Sequence, residues 1–73
     1  MDPRNRLGQN LRALRKARGL SQERFALEHD IDRTYVSGIE RGTRNPTVTV
    51  LGRLADALGV DIHELLLPVA EDS

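Results

Sequence analysis

Ser21-Gln22-Glu23-Arg24-Phe25-Ala26-Leu27-Glu28-His29-Asp30-Ile31-Asp32-Arg33-Thr34-Tyr35-Val36-Ser37-Gly38-Ile39-Glu40-Arg41-Gly42 contains two helix starts with only a short interval between them. Ser21 is a good N-cap, and Gln22 to about His29 form a short helix buried through Phe25 and Ala26. Arg24 stands at the third helical position, where Glu or Gln would close a capping box, so Ser21 caps alone. Asp30 and Ile31 make a tight connection. Asp32 then caps a second short helix, Arg33 to Arg41, which buries Val36 and Ile39 at three-residue spacing and stops at Gly42. A turn this tight leaves no room for antiparallel packing, so the two helices must cross steeply.

Upstream, Leu7, Leu11 and Leu14 recur at helical spacing, with Arg12, Arg15, Lys16 and Arg18 between and after them. Residues from about 4 to 18 therefore form an amphipathic helix that Gly19 closes, with cations in the last turn where the macrodipole favours them. Downstream, Thr43-Arg44-Asn45-Pro46 is loop chemistry. Thr47 caps a fourth helix carrying the stripe Leu51, Leu54, Ala55, Leu58, and Gly59 ends it. Val60 packs down. Asp61 opens a very short fifth helix, with Glu64 completing an Asp-x-x-Glu box, Leu65 and Leu66 burying it and Pro68 stopping it. Residues 1–3 and 69–73 are expected to be frayed tails. With no internal repeat, low-complexity segment or linker, residues 1–73 are expected to form a single all-α domain of five helices.

Composition narrows the function classes. The chain has 73 residues, no Cys and two His, so neither disulfides nor a thiolate metal site can staple it, and packing alone must hold the core. Phe25 and Tyr35 are its aromatics; Leu, Ile, Val and Ala supply most of the rest of the apolar content, which suits helices better than a β-sandwich. The longest apolar run, Leu65 to Ala70, is too short to span a bilayer and is broken by Pro68. Met1-Asp2-Pro3-Arg4 lacks the apolar stretch of a signal peptide. The expectation is a soluble cytoplasmic protein without a membrane partner. Eleven Lys plus Arg balance eleven Asp plus Glu, and a zero net charge argues on its face against a polyanion. The balance hides a split. Residues 1–46 hold ten basic side chains against six acids, a net of +4, while residues 47–73 hold one against five, a net of −4. Such asymmetry makes a polyanion partner for the first half worth testing.

The steep helix pair supplies that partner's docking geometry. Two short helices so joined form a helix-turn-helix, whose second helix can present its N-terminal residues to a DNA major groove. With Val36 and Ile39 buried, the outward faces carry Arg33, Thr34, Ser37 and Gly38. Arg33 can grip guanine with two hydrogen bonds, and Thr34 offers a hydroxyl to a base edge or a methyl to thymine. Gly38 either lets the backbone approach DNA closely or relieves crowding within the protein. Tyr35 either donates its hydroxyl to a phosphate or packs its ring against neighbouring helices.

Residues 7–67 resemble the lambda-repressor-like, Cro/XRE-type helix-turn-helix family through Leu11-Arg12-Ala13-Leu14-Arg15, Gly19-Leu20-Ser21-Gln22-Glu23, Ile39-Glu40-Arg41-Gly42, Asn45-Pro46 and Leu54-Ala55-Asp56-Ala57-Leu58. Within it, Asp32 to Asn45 is most similar to the controller proteins of restriction-modification systems, which are small homodimers regulating transcription of their own gene and the nuclease gene. The resemblance implies that Gln22 binds a phosphate at the start of the second helix and that Arg33, Thr34 and Ser37 read bases. It implies that Arg41, Arg44 and Asn45 contact the DNA backbone, and that Arg15 and Glu40 form a buried structural ion pair. Two positions depart from the family pattern. Asp30 replaces the usual turn Gly, at a cost of up to about 1 kcal/mol. His29 replaces a small apolar residue, as a pH-sensitive site or simply as a half-buried side chain near a helix C-terminus.

A domain this small, reading a few base pairs with one helix, is expected to dimerise on palindromic double-stranded DNA. Val48, Val50, Ile62, Leu66 and Leu67 are apolar beyond the core stripe of the acidic half; they either build a self-complementary interface or finish the core. A prophage-type repressor or an antitoxin would share the DNA-facing residues, and a protein-interaction module could use the same fold without DNA. No His pair at i, i+4, no Cys and no Gly-rich phosphate loop assembles a catalytic or cofactor site. No enzyme activity, metal, cofactor or small-molecule ligand is expected.

Overall fold

Every helix in the computed structural model, which describes residues 2–69, begins at a side chain that accepts from an otherwise open backbone donor. Asp2 accepts from the Arg4 N–H at 2.7 Å and starts α1, Pro3–Ala17. Ser21 accepts from Arg24 at 3.0 Å and starts α2, Gln22–Glu28. Asp32 accepts from Thr34 at 2.7 Å and starts α3, Arg33–Glu40. Thr47 accepts from Val50 at 3.2 Å and starts α4, Val48–Leu58. Asp61 accepts from His63 at 3.2 Å, and its own N–H donates back to Glu64 at 3.0 Å, closing the box that starts α5, Ile62–Leu65. Each cap is worth about 1 kcal/mol. Asp2 and Pro3 correct the expectation of a frayed start: Pro3 sits in the first helical turn, where its missing N–H costs nothing. Of the expected C-terminal tail, Ala70 to Ser73 lie outside the described residues.

The helices close around one core. Leu7 and Leu11 of α1, Phe25 and Ala26 of α2, Val36 and Ile39 of α3, Leu54, Ala55 and Leu58 of α4, and Leu65 of α5 are all buried. Burying a Leu, Ile or Phe side chain stabilises by about 1.5–3 kcal/mol, so this cluster supplies the main driving force. Leu14, Leu20, Ile31, Tyr35, Val50, Leu51 and Ile62 pack around its edge. His29 is half-buried, with its ring 5.1 Å from that of Phe25.

Contacts distant in sequence set the helix arrangement. At Gly8, α1 crosses the end of α3 so closely that a Cβ would stand 2.5 Å from the Ile39 carbonyl oxygen and 2.7 Å from that of Glu40. Only glycine permits this approach, because the obstructing atoms are backbone. Arg18 donates to the Leu58 carbonyl at 2.5 Å, binding the end of α1 to the end of α4. The Asn10 amide donates to the carbonyls of Leu65 and Leu67, both at 2.9 Å, and ties the chain after α5 onto α1. No helix among the described residues is long and apolar enough to cross a membrane.

Candidate nucleic-acid interface

The turn between α2 and α3 determines how α3 is displayed. Asp30 takes up left-handed backbone there, φ 55°, where glycine would be unstrained. Ile31 donates its N–H to the Ala26 carbonyl at 2.9 Å, and Arg53 of α4 donates to the Asp30 carbonyl at 3.2 Å. These bonds hold the turn from both sides. Val36 and Ile39 pin α3 to the core, leaving Arg33 and Thr34 exposed and Ser37 half-buried on the opposite face.

Arg33, Thr34, Ser37 and Arg41 line one shallow recess of about 260 Å³. The Arg41 guanidinium donates to the Ser37 hydroxyl oxygen at 3.0 Å. That bond leaves the Ser37 O–H free to donate outward, suited to an acceptor on a base edge. Arg41, expected beside the DNA backbone, therefore shares the recess with the three expected base-reading residues. Arg44 and Asn45 are exposed in the loop after α3, and the Arg44 guanidinium carbon lies 5.6 Å from the centre of the Tyr35 ring. Tyr35 itself is half-buried and packs on the core, so its ring serves the protein whatever its hydroxyl contacts.

Behind this face lies a buried polar network. Arg15 donates to both Glu40 carboxylate oxygens, at 2.7 and 3.0 Å, and to the Leu20 carbonyl at 2.6 Å. The two side chains are 7% and 4% exposed. The Glu40 hydrogen bond holds the Arg15 guanidinium above its ordinary pKa. Gln22 donates one amide N–H to Glu40 at 3.0 Å. The structure thus places Gln22 in the α1–α3 ion-pair network through one of its two amide N–H groups. Arg15 drops out of the cations available to DNA.

The acidic half is different. Val48, Leu66 and Leu67 are 75%, 39% and 45% exposed, whereas Val50 and Ile62 are half-buried against the core. Leu27 of α2 is 79% exposed, the most open large apolar side chain among the described residues, and the sequence pattern did not single it out. Its signal was legible: with Phe25 and Ala26 inward, Leu27 is turned away by the helical period. Among the described residues, no cluster of His, Asp and Glu could hold a metal ion.

Residues 11–65 match the helix-turn-helix family. The chain belongs to that family. This helix-turn-helix protein is 45% identical over 71 residues to an uncharacterized HTH-type transcriptional regulator of Sinorhizobium fredii, covering 97% of this chain and 92% of the relative. It is similar to the crystal structure of the restriction-modification controller protein C.AhdI from Aeromonas hydrophila, with a TM-score of 0.80 and 47% identity over 85% of this chain and 94% of that one. It also resembles the controller protein C.Esp1396I, crystallised as a tetramer with its natural 35 base-pair operator, with a TM-score of 0.76 and 31% identity over 92% of this chain and 99% of that one. The five-helix, strandless architecture of the described residues is that of a lambda-repressor-like domain, and the family to which it belongs consists of DNA-binding transcriptional regulators.

Proposed function

We propose that the chain is a sequence-specific regulator of transcription that binds a palindromic operator as a homodimer, in the manner of a restriction-modification controller protein. The observation that carries this reading is the recess of Arg33, Thr34, Ser37 and Arg41 on the outer face of α3. Arg33, Thr34 and Ser37 read base edges in the major groove, with Arg41 orienting Ser37 and reaching the flanking phosphate. Arg44, Asn45, Gln22 and the Tyr35 hydroxyl contact the DNA backbone and fix register. At eight residues, α3 is about 12 Å long and passes only about four base pairs, too few for an operator. A second copy, placed by a twofold axis with the recognition helices about 34 Å apart, doubles the reading. Val48, Leu66 and Leu67 supply the exposed apolar contacts for that copy, and Val50 and Ile62 support them from beneath.

Selection of bound duplexes from a randomised pool tests this directly, and a palindrome with half-sites one helical turn apart is the expected product. Arg33→Ala then lowers affinity for the selected duplex by about 1–3 kcal/mol and relaxes preference at one base position. Arg44→Ala instead weakens binding to all sequences and makes the salt dependence shallower by about one unit. No enrichment of any duplex by the wild-type chain overturns DNA binding. Equal loss of sequence preference in both variants overturns the division between reading and positioning.

A further inference from the structure

We propose that Gly38 and the Tyr35 ring together form a seat that presets the Arg44 side chain for its contact with DNA, a role that rests on the operator-binding reading above. Gly38 lies inside α3, where glycine is a poor helix former, and it is buried. What covers it is Arg44. A Cβ built on Gly38 would collide with the Arg44 Cγ and would stand 3.4 and 3.5 Å from its Cβ and Cδ. The aliphatic stem of Arg44 therefore lies flat across the helix backbone, in the space that any other residue at position 38 would fill.

The two ends of that side chain are held as well. At its root, the Gly38 carbonyl accepts three hydrogen bonds from the returning loop: the Thr43 N–H at 2.9 Å, the Arg44 N–H at 3.2 Å and the Thr43 hydroxyl at 3.1 Å. At its tip, the guanidinium carbon lies 5.6 Å from the Tyr35 ring centre, within cation–π range. A free arginine gives up much rotamer freedom when it grips a phosphate. Here the protein has already restricted the stem, so less freedom remains to be lost on binding. The same geometry decides between the two uses of Gly38 that its position allows: the space beside its Cα is occupied by Arg44 and is not open to a DNA backbone.

The test is a double-mutant cycle on the full chain, using the duplex that the wild-type chain selects and a scrambled duplex of the same length. Gly38→Ala should weaken binding to both duplexes about tenfold by unseating Arg44, the helix propensity that alanine adds being offset in the melting temperature by the collision of its Cβ with the Arg44 Cγ. In an Arg44→Ala background the same substitution should change affinity by less than about twofold, because the side chain it displaces is gone. Undiminished binding by Gly38→Ala overturns the proposal, as does an equal loss in both backgrounds, which would mean that the DNA itself meets position 38. Tyr35→Leu compared with Tyr35→Phe asks the same question without touching the helix backbone. Leu should bind more weakly than Phe only when Arg44 is present; a difference that persists in Arg44→Ala overturns the role of the ring. Failure of the wild-type chain to bind any duplex is a separate result, and it removes the operator-binding reading along with this one.

Discussion

The outer face of α3 and the edge formed by α4 and α5 are both exposed, yet they are finished differently. On α3 the apolar side chains, Val36 and Ile39, are wholly inside, and the polar ones converge on one recess whose members orient each other. At the other edge, apolar groups spill outward: Val48 is 75% exposed, and Leu66 and Leu67 stand open on a segment that Asn10 clamps by its backbone carbonyls. The first surface is a polar recess complete in itself, as the proposed reading of bases requires. The second leaves apolar groups facing water, and in the proposed homodimer its pinned backbone would lower the entropy lost on covering it. The difference gives physical meaning to the zero net charge. The basic half carries positively charged side chains on an organised surface, while the acidic half, from which DNA is repelled, is the one that the proposed homodimer would use.

The largest expected effect tests whether the α3 face depends on its buried support. Arg15→Ala leaves the Glu40 carboxylate buried beside Gln22 alone, and should destabilise the fold by about 3–5 kcal/mol in urea unfolding. If the loss is below about 1 kcal/mol, the network is incidental and the face is held by Val36 and Ile39 only. Next comes the opposite edge. The pair Leu66→Ser and Leu67→Ser should raise the dimer dissociation constant by at least about tenfold in sedimentation, while the monomer's unfolding stays within about 0.5 kcal/mol of the parent. Unchanged association would remove the contrast between the two surfaces. The smallest effect lies in the turn. Asp30→Gly relieves left-handed backbone at φ 55° and should stabilise by at most about 1 kcal/mol, with DNA affinity unaffected. A loss of affinity there would show that the Asp30 carboxylate, or the exact pitch of the turn, belongs to the reading face.

Helix positions were legible because their determinants are local. Ser21, Asp32, Thr47 and Asp61 each cap the helix that their sequence position predicts, and the stripes of Leu11, Val36, Ile39, Leu54 and Leu58 point inward as their spacing requires. The start of α1 was missed by one residue because Asp2-Pro3 was taken as a terminus when it is a cap followed by an N-terminal proline. Other features were beyond any local pattern. Nothing around Gly8 indicates that its Cα faces the carbonyls of Ile39 and Glu40, and nothing around Arg53 points to the Asp30 carbonyl. Gln22 carries the signature of a helix start, which is silent about its bond to Glu40.

By itself, then, the sequence determined the five helices, the inward stripes and the candidate reading residues, since caps and periodicity act over a few residues and their free energies are set by near neighbours. Only the tertiary structure decided which arginines are free to face DNA. Arg15 is consumed by Glu40, Arg18 by the end of α4 and Arg53 by the turn, while Arg41 joins Ser37 and Arg44 lies over Gly38 and Tyr35. The physical reason is that a guanidinium on a long flexible stem takes whichever acceptor the fold brings within reach, and for Arg15, Arg18 and Arg53 that acceptor is contributed by chain that lies elsewhere in the sequence.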